Sequence, residues 1–345
     1  MVRSGQRPAS IKEVASLAGV ALSSVSRVLN DHPDVSERMR EKVLRAVDEL
    51  GYEPDLLASS LRSGRTHTVG FIIADIVNPL FASILRGAER ELRDAGYAVL
   101  LAHSEGDPAR DAESARLFRR RRVDGLLLSL TDEEWGDTHA ELRDNDIPIV
   151  LLDREVADGS AWSAVMADHR TGLRRATEHL IDLDHRDIRL ITGQQTSRPA
   201  RERAVGFRDA YERRGITVAD GAVVHGNFSA VFGGRAIDEM VGRSELPTAL
   251  IAGGNLILTG IIAALRRHDI RIGRDIALIT CDDIPLAEFH EPAISVVARD
   301  TEQMGVLAAQ MLLELLAGGP PRREVVPTNF LMRESTYPNR RGQPG

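Results

Sequence analysis

The sequence predicts a small all-helical head followed by a larger α/β body built on parallel sheets. Three observations carry this. Short apolar faces at helical spacing, broken by glycines, fill residues 10–51. From Val69 onward, apolar runs alternate with amphipathic stretches, as in strand–helix–strand units with helices on both faces of a sheet. The length of 345 residues corresponds to two or three domains at roughly 150 residues each.

The head begins with Ser10-Ile11-Lys12-Glu13, the Ser-x-x-Glu form of a capping box. Val14, Leu17 and Ala18 follow as an apolar face, and Gly19 ends the helix. Leu22 to Leu29 reads as a second helix with Val25, Val28 and Leu29 inward. The tight turn between the two suits a helix-turn-helix. Ser36 caps a third helix, with Met39, Val43, Val47 and Leu50 inward and Gly51 as its stop. The outward face of helix two carries Leu22, Ser23, Ser24, Ser26, Arg27 and Asn30. Short hydroxyls and one Arg suit a DNA major groove; they equally suit an ordinary solvated face.

In the body, strands are predicted in VGFIIADI, AVLLAHS, DGLLLSL, IPIVLLD, AWSAVMAD, IRLITG, AVVHGNF, ALIAGG and IALITCDD. PLFASILRGAERELRDAGY is a helix between the first two. Ligands of such sheets sit at the carboxyl ends of strands. Asp75, Asp153, Asn255 and Asp282 stand at four such ends. Singly, each suits a helix cap; together they suit a polar-ligand cleft. Thr248 to Leu265 carries no charge but contains Gly253, Gly254, Asn255 and Gly260. It reads as strand, turn and helix, not as a membrane span of about 20 apolar residues.

Composition removes several classes. Aromatics are only 4%, so a function built on many stacking rings is not expected. Cys281 is the sole cysteine, which excludes an internal disulfide or a multi-cysteine metal site and suits a reducing compartment. MVRSGQRPAS has no apolar core, so a cytoplasmic protein is expected. Residues 1–65 hold ten Lys/Arg and nine Asp/Glu, a net of +1, and residues 66–345 hold thirty-four and forty-two, a net of −8. A mildly basic tip thus sits on an acidic body. No G-x-S-x-G elbow, G-x-x-x-x-G-K-[ST] loop or G-x-G-x-x-G fingerprint occurs. No enzyme activity, cofactor or metal is expected. His179, His185 and Asp187 are read as structural, and Cys281 as a buried thiol.

The run from IKEVASLAGV through VSRVLN, ELGY and SLRSGRTHTVG resembles the DNA-binding head of the lactose-repressor (LacI/GalR) family. The rest of the chain resembles that family's sensor out to about residue 337. The resemblance implies a two-lobed fold of the periplasmic sugar-binding type. Its boundaries are a head over 1–54, a hinge helix and linker over 55–66, and a sensor over 67–345. The sensor's first lobe takes about 67–165 and 299–329, and its second about 166–298 and 330–340. Chain crossovers fall near 165, 298 and 329. It further implies a homodimeric regulator, usually a repressor, that binds near-palindromic double-stranded operator DNA and answers to a small effector, a sugar or sugar derivative. A sensor that does not bind DNA is the alternative. No membrane partner is implied.

By position, the resemblance makes Leu22, Ser23 and Arg27 base-reading residues and Ser24, Ser26 and Asn30 phosphate contacts. Asp55 caps the hinge helix, and Leu61 wedges into the central base step. Asp75, Phe81, Asp153, Arg201, Arg203, Phe228, Asn255 and Asp282 fall in the effector cleft, with Phe228 stacking on the effector. Three departures stand out. Ala21 replaces a capping Ser, Gly253-Gly254-Asn255 replaces an Asn-Asp pair so that Asn255 takes the Asp position, and Asp184 stands where Gly is usual. The chain ends in NRRGQPG without an apolar heptad, so no coiled-coil tetramer is expected.

Overall fold

The computed structural model describes residues 9–29, 32–52, 64–143, 147–156 and 162–338. The chain divides into two compact units, Met1–Thr66 and His67–Gly345.

The first unit holds helices α1 (Ile11–Ala18), α2 (Leu22–Leu29) and α3 (Glu37–Leu50). The capping box forms in full: Ser10 Oγ accepts from the Glu13 N–H, and the Glu13 carboxylate accepts from the Ser10 N–H at 2.6 Å. Gly19 closes α1 at φ +65°, a left-handed conformation that suits glycine. Val14, Ala15, Val25, Val28, Val43 and Ala46 form the core. Leu17 departs from expectation and is 46% exposed. The inward stripe of α1 is Ile11, Val14, Ala15 and Ala18; at 100° per residue Leu17 falls off its edge. Ser36 occupies the N-cap of α3, but its side chain makes no capping bond.

The second unit is two lobes, each a six-stranded sheet between helices. The first lobe contains β1 (Thr68–Ile73), α4 (Pro79–Asp94), β2 (Ala98–His103), α5 (Pro108–Arg120), β3 (Gly125–Leu128), α6 (Gly136–Arg143), β4 (Ile149–Leu152) and β5 (Ser163–Ala167). The second contains α7 (His169–Asp182), β6 (Ile188–Thr192), α8 (Arg198–Arg213), β7 (Val223–His225), α9 (Ala230–Gly242), β8 (Ala249–Ala252), α10 (Asn255–Arg267), β9 (Ala277–Cys281), α11 (Pro285–Glu288) and β10 (Ser295–Arg299). The chain then returns through α12 (Thr301–Leu316) and β11 (Arg323–Val326) to the first lobe, and ends with β12 (Thr328–Leu331) in the second. Strand orders are β11-β5-β4-β3-β1-β2 and β12-β10-β9-β8-β6-β7. Crossovers therefore fall at Asp168, Asp300 and Pro327.

All pairings are parallel except β12 against β10. Only Pro327 separates β11 from β12. The extended chain runs straight from one sheet into the other, without the crossover helix that a parallel return needs. β10, β11 and β12 lay outside the strands expected from sequence. Their pairing is non-local, and β11 is mostly exposed.

Each sheet has an apolar layer on both faces. In the first lobe, α4 and α12 cover one face and α5 with α6 the other. In the second, α9 and α10 cover one and α7 with α8 the other. The α4–α12 contact needs glycine: a Cβ on Gly305 would collide with the Ile84 carbonyl oxygen. Asp184, at φ +65°, adopts the backbone that glycine would supply; Asp tolerates it better than most residues. Among the described residues no helix is long and apolar enough to cross a membrane.

Candidate effector cleft and DNA-reading face

In the head, Val25 and Val28 are buried behind α2, and Leu22, Ser23 and Arg27 are exposed on its opposite side. Ser24 and Ser26 are half-buried at its margins. Leu22 is 45% exposed, an apolar group left in water at a position suited to a thymine methyl. Ala21 supplies only its carbonyl, which accepts from Ser24 and Val25 N–H at 2.9 and 3.2 Å. Asn30, Asp55 and Leu61 lie outside the described residues.

In the sensor, strand ends from both lobes open onto one cleft of about 1150 Å³, including its mouth. Asp75, Phe81 and Asp153 line it from the first lobe, and Arg203, Phe228, Asn255 and Asp282 from the second. Asp75 follows β1, and its Oδ1 accepts from Val77 N–H at 3.0 Å. Phe81 lies one turn into α4, whose N-cap Asn78 accepts from Leu80 N–H at 3.1 Å. Phe228 follows β7 and lies against Gly193 and Gly254. A Cβ on Gly193 would strike the ring, and one on Gly254 would come within 3.0 Å of it. Gly193 and Gly254 thus leave room for the aromatic wall, whereas a Cβ on Gly253 would meet Thr192 instead.

The charged residues are not free. Asp153 accepts from His169 Nε2 at 2.8 Å, from Ala167 N–H at 3.1 Å and from Arg299 Nη1. Arg299 Nε also donates to Asp282 at 2.7 Å. Arg203 Nη1 donates to the Gly253 carbonyl at 2.6 Å, and its Nη2 stands 3.9 Å from Asp282. Arg203 is 2% exposed and its Cζ lies 5.9 Å from the Phe228 centroid. Burial alone would raise the carboxyl pKa of Asp153; His169 and Arg299 outweigh it and hold it well below the usual range. For Asp282, Arg299 and Arg203 outweigh burial in the same way. Burial drives the His169 pKa down to about 4, so the ring is neutral near pH 7 and its Nε2–H serves as a donor to Asp153. Burial pushes the Cys281 thiol up to about 11, leaving it protonated and unreactive.

Two buried polar atoms in this cleft have no partner among the described residues: Arg203 Nε, a donor, and Asn255 Oδ1, an acceptor. Asn255 is 3% exposed. Its amide donates to Asn78 Oδ1 across the cleft at 3.1 Å, which leaves Oδ1 to accept from something else.

Arg201 is not in the cleft. Its Nη2 pairs with Glu133 at 2.7 Å and its Nη1 donates to the Gln195 carbonyl at 3.1 Å. Both Arg201 and Arg203 lie on α8, and residues two apart on a helix do not share a face. Conversely, Arg299, Asn78 and His169 were not singled out from sequence. Arg299 ends an apolar run, SVVAR, the same signal that marked Asp153 and Asp282. His179 and His185 are engaged structurally. His179 Nε2 meets Thr336 Oγ1 at 3.0 Å, and His185 bridges Thr248 Oγ1 and the Tyr337 carbonyl, each at 2.9 Å.

Comparison with known proteins agrees with both units. Residues 10–55 match the model of bacterial regulatory proteins of the lacI family, and residues 177–336 match a periplasmic binding protein-like domain. The ribose operon repressor of Escherichia coli (strain K12) is 35% identical over 305 residues, covering 88% of this chain and 92% of that protein. The crystal structure of the Lac repressor dimer bound to operator and the anti-inducer ONPF superposes with a TM-score of 0.81 at 26% identity, covering 96% of this chain and all of that one. The transcriptional regulator CelR in complex with cellobiose gives 0.73 at 30% identity, over 96% and 100% of the two chains. With a lacI-family match over its head, a two-lobed sensor and relatives of this kind along nearly their whole length, the chain belongs to the LacI family of DNA-binding transcriptional regulators.

Proposed function

We propose that this chain is a non-enzymatic, cytoplasmic repressor that binds a near-palindromic operator as a homodimer and releases or grips it in response to an uncharged sugar. The observation that carries the effector class is the charge balance of the cleft. Asp153 and Asp282 share Arg299, and Arg203 faces Asp282. Asn255 Oδ1 and Arg203 Nε ask for one donor and one acceptor, which a neutral polyol supplies. The Phe228 ring covers an apolar face of such a ligand. A phosphate ester would bring about two negative charges to cations already spent on internal acids. The relatives' names, a ribose operon repressor and a cellobiose-bound regulator, accord with this class. Two heads are needed to read a two-fold site.

The test has two arms. Purified protein is selected against random duplexes, and the retained sequences are read; a short near-palindrome, lost in Arg27→Ala, is expected. Thermal melts are then run with a panel of free pentoses, hexoses and disaccharides and their phosphate esters. A neutral sugar should raise the melting temperature, and its phosphate ester should not. Enrichment of no duplex, with or without the panel, would overturn the repressor reading.

A further inference from the structure

The longest run of like charge in the chain is Arg119-Arg120-Arg121-Arg122, in a sensor whose net charge is −8 by the count above. It spans the last turn of α5 and the residues just beyond. All four are exposed. Arg119 pairs with Glu141 at 3.3 Å. Arg120 and Arg121 have no acidic partner among the described residues. The helix dipole accounts for Arg119 and Arg120 in the last turn, but Arg121 lies beyond it, at the C-cap, and both Arg120 and Arg121 keep their guanidinium groups in solvent.

Their position is specific. The segment after the run is fastened to the point where the chain enters the sensor. Asp124 N–H donates to the Thr68 carbonyl at 2.7 Å, and the His67 N–H donates to the Asp124 carboxylate at 2.8 Å. With Cα atoms 3.8 Å apart, Arg121 is no more than about 12 Å from Asp124. The arginines therefore sit at the root of the tether that leads to the DNA-reading head. Between Tyr52 and His67 the chain can span at most about 50 Å. A duplex held by the head is thus tethered covalently to the sensor through this entry point. Guanidinium groups pair well with phosphate.

We propose that Arg120 and Arg121 form a second, sequence-independent contact with the phosphates of duplex DNA, outside the helix-turn-helix. The proposal rests on the DNA-binding reading above. It makes the sensor part of the DNA interface and adds affinity without adding base recognition.

The test uses the full chain and a mixed-sequence 60-base-pair duplex, titrated over 50–300 mM KCl. For Arg120→Ala/Arg121→Ala, the slope of log affinity against log salt should become shallower by about 1.8 per engaged protomer, from 0.9 per phosphate contact. At 0.1 M salt that corresponds to roughly 60-fold weaker binding. Circular dichroism and the melting temperature should match the parent. Arg120→Lys/Arg121→Lys should restore the slope, because counterion release needs only the charge. An unchanged slope and affinity in the alanine variant would overturn the proposal and leave the head's DNA binding intact. A loss confined to single-stranded RNA of the same length would overturn it as well. Failure of the parent protein to bind any duplex would remove the reading on which it rests.

Discussion

At the scale of single residues, the cleft is governed by how buried charges are matched. Arg299 is the central group: its side chain is 3% exposed, and it bridges acids from both lobes. Removing one partner of a buried ion pair costs about 3–5 kcal/mol, because the other charge stays buried without compensation. His169 gives a pH test of the same network. Its pKa is about 4 in the folded chain against an ordinary 6.5. The depressed value means that the unfolded chain takes up its proton first as pH falls. This residue's contribution is therefore complete above about pH 6.5 and is lost progressively towards pH 4. The difference between these two values corresponds to about 3 kcal/mol. In His169→Asn the amide still donates to Asp153 but does not titrate. Urea unfolding from pH 7 to 4 should show a flatter stability profile for the variant, by that order. Parallel profiles for the two proteins would refute the assignment.

At the scale of elements, helix pairs are set by close backbone approach. Gly305 on α12 packs against the Ile84 carbonyl on α4 with no space for a Cβ. Gly242, at the end of α9, has nothing within 4 Å of a built Cβ and no left-handed backbone. Gly305→Ala should therefore destabilise by about 1–3 kcal/mol through overpacking. Gly242→Ala should be neutral or stabilise by up to about 1 kcal/mol. Denaturant midpoints of both variants check the contrast; equal effects would mean that α4 and α12 can slide apart freely. Most elements were legible because each is locally consistent. The capping box at Ser10 and the buried strand IVLL carry their own signals. β12 was not legible, since TNFL is short and its antiparallel partner is distant in sequence. Leu17 misled for a related reason: spacing of three from Val14 marks a helix face but does not say where the face ends.

At the scale of the molecule, the two lobes are tied at separate points. Asn78 and Asn255 meet across the cleft. Away from it, Glu133 of the first lobe accepts from Arg201 at 2.7 Å and from the Arg198 N–H at 2.7 Å on the second. Burial raises the Glu133 carboxyl pKa against the pull of Arg154 and the donors from α8. A ligand shifts a lobe equilibrium only by its differential affinity for the two arrangements. If the Glu133–Arg201 pair favours the closed one, losing it reduces the competent fraction and weakens binding without removing a ligand contact. Arg201→Ala should therefore bind the stabilising sugar of the thermal panel about tenfold more weakly by calorimetry. Unchanged affinity would show that the pair does not bias closure.

What the sequence by itself determined was the local grammar. Capping and turn residues set the head, alternating apolar runs set the strands, and polar residues closing those runs marked where ligands bind. Those signals lie within a few residues of one another and survive without any long-range contact. Tertiary structure alone decided which polar residues meet. It moved Arg201 from the cleft to a tie between lobes, because helical phase sets it apart from Arg203. It brought Arg299 to Asp153 and Asp282, 146 and 17 residues away in the chain, because three crossovers fold both lobes onto one hinge. Charge pairing in a buried site depends on distances of a few ångströms between segments far apart in sequence, which only their packing can set.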